Sequence, residues 1–160
     1  MSYPDSDAVT VKITIRKADQ QKFEEICLDF TACAPLPPVE GVELIQYQFD
    51  NCHYASIGTE NEEIYLEQDK IPYDKEWPDG HEYRAGKRHL RVTQDGEINK
   101  KEYREFKVMV DVKDVEKALE QGTLTDFLAE KKGLNAIMTW PEQEAILQKR
   151  AAVAHKLPKL

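Results

Sequence analysis

The sequence predicts an α+β fold, a mostly antiparallel sheet in the N-terminal two-thirds followed by two to three helices at the C-terminus. Two observations carry this. Apolar and β-branched residues recur with a period of two near the start of the chain, and after residue 113 the pattern turns helical, with caps and stop signals. The 160 residues match a single domain, 1–160, with a β-rich part over 9–112 and a helical part over 113–157. A chain of this length buries roughly two-thirds of its unfolded surface without disulfides or metal.

Val9, Val11, Ile13 and Ile15 alternate with Thr10, Lys12, Thr14 and Arg16, which describes a half-buried strand. Residues 21–31 fit two patterns: a helical stripe of Phe23, Ile26, Cys27 and Phe30, or a strand with Ile26, Leu28 and Phe30 on one side. The strand, as a hairpin partner of the first, is preferred. Pro35, Pro37 and Pro38 interrupt regular structure, and Val42 to Phe49 resumes it as a strand. Cys52 to Ile57 and Glu63 to Leu66 read as two short strands around a turn at 58–61, and His89 to Thr93 with Glu105 to Val112 complete the β part.

Helix signals then take over. Asp114 caps a helix that runs through Gln121 and ends at Gly122; Thr123 with Asp126 resembles a capping box for a second helix stopping at Gly133. Thr139, Pro141 and Glu142 open a third helix, with Ala145, Ile146, Ala152, Val153 and Leu157 on its apolar side.

Charge is polarised along the chain. Residues 1–80 hold 17 acids and 6 bases, residues 81–160 hold 13 acids and 16 bases, and the net charge is −8. Nucleic-acid affinity comes largely from counterions released at basic patches, so DNA or RNA binding by the acidic half is disfavoured. The helix pair after residue 113 is no reader of a major groove either, because its second helix presents Asp126 and Glu130 and has basic residues only at its end. Cys27, Cys33 and Cys52 are odd in number and lack CxxC spacing, which indicates reduced thiols rather than a disulfide framework or zinc knuckle. No apolar run approaches the roughly 20 residues that span a bilayer, and MSYPDSDAV lacks the basic and apolar regions of a signal peptide. The expectation is a soluble, cytoplasmic protein with no cofactor and no membrane partner.

Three segments are candidates for function. Residues 69–88, DKIPYDKEWPDGHEYRAGKR, read as a long aromatic loop between strands, with Tyr73, Trp77, Asp79, His81 and Tyr83 as a partner-binding surface. Cys52, His53, His81 and His89 supply the residue types of a thiol–imidazole site, but adjacent Cys52 and His53 would point to opposite faces of a strand, and no HxH or HExxH spacing marks a metal. Asp95 to Tyr103, DGEINKKEY, resembles the second half of an EF-hand loop; its first and third ligand positions fall on Arg91 and Thr93, so Asp95–Gly96 is read as a hairpin turn and calcium is excluded.

The expected function is a small, acidic, non-enzymatic protein–protein interaction module (an adaptor, inhibitor or immunity-type protein) that meets a basic partner through its acidic face and the 69–88 loop. The alternatives are a small enzyme or ligand-binding protein with a Cys/His pocket around Cys52 and His81, and a structural component of a phage or secretion-type assembly.

Overall fold

A computed structural model of the protein describes residues 9–52, 59–79, 85–104, 110–132 and 137–156. Six strands, β1 (Val9–Arg16), β2 (Ala32–Val39), β3 (Val42–Cys52), β4 (Tyr73–Trp77), β5 (Gly86–Val92) and β6 (Ile98–Arg104), form one sheet in the order β2-β3-β1-β4-β5-β6. All neighbouring pairs are antiparallel. The helices are α1 (Gln20–Ile26), α2 (Glu60–Gln68), α3 (Val112–Glu120), α4 (Leu124–Lys132) and α5 (Trp140–Lys156). The architecture is α+β, with three of the five α-helices among the described residues in the C-terminal half.

The alternation in β1 determines its place. As the strand between β3 and β4, it is covered on both faces: Val11, Ile13 and Ile15 are fully buried on one, and Thr14 is buried on the other. The first face packs under α1 and α2. Phe23 stacks on Tyr47 with ring centroids 4.1 Å apart, Phe30 meets the same ring edge-on at 4.8 Å, and Leu66 of α2 joins the cluster. The opposite face packs under α5, where Trp140 sits against Val42 and Leu44. Gln143 holds α5 to the sheet by pairing with both backbone groups of Val92: the Val92 N–H donates to Oε1 at 2.7 Å and Nε2 donates to the carbonyl at 3.0 Å. Arg16 adds an ion pair to Glu144 at 2.8 Å.

Several local signals work as the sequence predicts. The capping box at α5 forms, with the Thr139 N–H donating to Glu142 Oε2 at 2.8 Å and the Glu142 N–H to Thr139 Oγ1 at 3.3 Å. Gly122, at φ 70, follows α3. The Asp95–Gly96 pair lies in the β5–β6 hairpin. A turn that the sequence reading did not single out, Glu40 and Gly41 at φ 46 and 85, joins β2 to β3 with the mirror-image geometry that matches strand twist.

Several expectations are corrected. Residues 20–26 form a helix, not a hairpin strand, because the i, i+4 pair Phe23 and Cys27 is buried while Leu28 is 79% exposed. Glu63 to Leu66 lies inside α2 rather than in a strand. The prolines do not end the sheet: β2 carries Pro35, Pro37 and Pro38 as an edge strand, where a missing N–H costs no ladder bond on the open side. The expected loop 69–88 contains β4 and the start of β5, and β6 ends at Arg104 while Val112 opens α3, capped by Asp111 and not Asp114. Residues 105–109, within the expected strand 105–112, lie outside the described residues.

Candidate functional site

α1 and α2 lie side by side on one face of the sheet and together form an acidic outer layer. The spacing of α2 gives it two unlike sides. Glu63 and Leu66, three residues apart, turn inward, and Ile64 and Tyr65 between them turn out. Tyr65 is 55% exposed, and Glu62 flanks it. Glu24 and Glu25 of α1, with Leu28 and Asp29 beyond its end, extend the same combination of carboxylates and exposed apolar groups. Residues 20–29 and 59–69 carry eight acids against Lys22 alone, with Lys17 and Lys70 at the margins.

Beneath this layer Glu63 is the centre of a buried polar network. Its Oε2 accepts from Lys75 Nζ and Thr59 Oγ1, both at 2.9 Å, and its Oε1 accepts from Arg88 at 2.5 Å and the Tyr73 hydroxyl at 3.1 Å. Arg88 also reaches Glu102 at 2.5 Å, and Lys75 and Arg88 both lie within 5.6 Å of the Trp77 ring centroid. Burial by itself would raise the Glu63 pKa, but the Lys75 and Arg88 charges outweigh it and hold the carboxyl below its ordinary value. The outer acids are therefore carried on a helix whose register against the sheet is fixed by matched charge.

The described residues among those singled out in the sequence are dispersed. Tyr73 and Trp77 belong to the core cluster, with Trp77 only 3% exposed, so in this fold neither offers its ring to a partner. This corrects the expected aromatic loop: β4 points both rings under α2. Asp79 is exposed, and its Oδ1 accepts from the Ala85 N–H at 2.7 Å, which ties the ends of the β4–β5 connection. His53, His81 and Tyr83 lie outside the described residues, as does the side chain of Cys52. His89 is on the other face of the sheet, where its Nδ1 lies 2.7 Å from Asp74. No group of three or more His, Cys, Asp or Glu among the described residues has the arrangement of a metal site, and no helix among them is long and apolar enough to cross a membrane.

The exposure of Tyr65, Ile64 and Leu28 escaped sequence reasoning because their segments were taken as strands. One signal was available: Ile64–Tyr65 is an apolar pair within the acidic run ENEEIYLEQD, in the half that carries most of the negative charge. Comparison of the chain with models of protein families, with curated proteins and with solved structures finds no match.

Proposed function

We propose that this protein is a small acidic interaction module that binds a basic protein partner through the outer face of α1 and α2. The observation that carries the reading is the exposure of Tyr65, Ile64 and Leu28 within a carboxylate-rich surface. Tyrosine is enriched among the few interface residues that dominate binding energy, and a field of one sign speeds encounter with a partner of the other. Glu24, Glu25, Asp29 and Glu62 supply the field, and Tyr65 supplies the anchor. An adaptor, inhibitor or immunity-type role uses such a surface without any catalytic group. The proposed surface replaces the 69–88 loop, whose Tyr73 and Trp77 are buried.

The test is capture of a partner from the native host, followed by direct titration of the purified pair. Tyr65→Ala is expected to weaken binding at least about tenfold with unchanged thermal stability, and Glu25→Lys with Glu62→Lys to slow association and flatten its dependence on salt. A basic partner whose affinity ignores all three substitutions would refute the proposal.

A further inference from the structure

The end of α5 is unlike the rest of the helix. Trp140, Gln143 and Glu144 tie its first half to the sheet, and Arg150 adds a last tie by donating to the Gln94 carbonyl at 2.9 Å. Beyond it Ala151, Ala152, Val153 and Ala154 are all exposed, Val153 to 55%. Four successive residues make more than one full helical turn, so no side of this turn packs on the sheet. Alanine is the strongest helix former, which suits this sequence to keep the turn helical without a covering surface. The charge changes here too: residues 145–160 carry four bases and no acid, in a chain of net charge −8. Lys149 and Val153, four residues apart, share one side of the helix and are both exposed.

This end has the opposite character to the outer face of α1 and α2. On that face exposed Tyr65 stands among carboxylates such as Glu25 and Glu62; at the end of α5 an exposed valine stands beside a lysine. Each surface offers the charge the other lacks, with apolar groups to bury between them. The two lie on opposite faces of the sheet, and α5 is held to its own face by Trp140 and Gln143, so one chain cannot bring its α5 end onto its own α1–α2 face. The match is available only between copies. A contact between two different surfaces on opposite sides of a molecule is heterologous and repeats from copy to copy. The net charge of −8 repels copies at long range, but at physiological salt that field reaches only about 8 Å, so the charges that face each other decide the contact.

Building on the binding role given above to the α1–α2 face, we propose that this face also receives the basic end of α5 from a second copy, so that the protein assembles head to tail. Val153 packs against Tyr65, and Lys149 meets the carboxylates of Glu25 and Glu62. A basic partner and a second copy use the same surface, so each excludes the other.

The experiment is sedimentation velocity of the full chain at about 0.1 M and about 0.5 M salt, with the same runs on two variants. The wild type is expected to sediment as a concentration-dependent series above the monomer at the lower salt and to return toward the monomer at the higher. Lys149→Glu with Val153→Gln changes only exposed residues of α5, and Tyr65→Ala changes only the α1–α2 face. Each should weaken self-association at least about tenfold with an unchanged thermal melt. Mixed together, the two variants keep one intact surface each and should form a one-to-one pair that grows no further. The proposal is overturned if the wild type is monomeric at both salts, if either variant associates as the wild type does, or if the mixture forms no pair. A chain that stays monomeric but binds anionic lipid vesicles through Lys149 also overturns it, the α5 end then meeting a membrane surface rather than a copy. The double variant keeps the α1–α2 face, so its binding of a basic partner should be unchanged. A monomeric wild type that still binds such a partner through Tyr65 defeats the head-to-tail contact and leaves the binding role of the face standing.

Discussion

Replacing Glu63 with alanine should be among the most destabilising single substitutions in the protein. Glu63 and Lys75 are both buried, Lys75 completely, and the same carboxylate also serves Arg88, Tyr73 and Thr59. Glu63→Ala takes one carboxylate from two cations and two hydroxyls at once. Breaking a buried pair by removing one partner costs about 3–5 kcal/mol, against a whole-domain stability of about 5–15 kcal/mol. Removing both charges is a different perturbation: in Glu63→Leu with Lys75→Met the desolvation of two ions disappears along with their attraction, and Arg88 keeps Glu102. The double variant should therefore lie within about 2 kcal/mol of the wild type, far from the sum of the single losses. Urea denaturation of the four proteins at neutral pH measures this cycle. The sign of the pH dependence follows from the lowered Glu63 pKa: the contribution is fully present above the ordinary glutamate value of about 4.3 and is lost as pH falls through the lower folded value. Stability between about pH 5 and 3 should fall less steeply in Glu63→Ala than in the wild type. A single-variant cost below about 1 kcal/mol, or additive losses in the cycle, would refute the picture of a charge-matched α2.

Other perturbations probe the two faces separately. Gly86→Ala would drive a methyl group into the Trp77 indole and to 2.8 Å from the Tyr103 carbonyl, so a loss of about 1–3 kcal/mol with an altered near-ultraviolet tryptophan signal is expected in thermal melts; unchanged melting would contradict the close approach. Trp140→Phe keeps an aromatic ring beside Val42 and Leu44 but removes the indole donor to Asp74, and should cost about 1–3 kcal/mol in urea unfolding. Cys33 is exposed on β2 while Cys27 is buried, its thiol pushed up to about 12 by burial and then by neighbouring carboxylates. In the native protein at pH 8, iodoacetamide should modify Cys33 and leave Cys27 intact until urea unfolds the chain, as peptide mapping by mass spectrometry would report.

What the sequence by itself determined is what rests on neighbours in the chain. The alternation of Val11, Ile13 and Ile15 suffices for β1 because side chains in a strand change face at every residue. The box of Thr139 and Glu142 and the turn at Asp95–Gly96 are equally local, since their hydrogen bonds and dihedrals close within a few residues. Polarised charge is also legible, and it located the acidic half without saying which surface carries it. Tertiary structure decided the rest. In residues 20–30 two periodicities compete, and the docking of Phe23 on Tyr47 selects the helix. Glu63 and Lys75 look like solvent-facing residues because each charge alone is costly to bury; they can go inside only together, with Arg88, and that meeting joins α2, β4 and β5 across 25 residues of chain. This pairing also directs Tyr65 outward on α2. On the other face, Asp74, His89 and Trp140 come from three separate elements, and no local pattern announces that one carboxylate will serve both the imidazole and the indole.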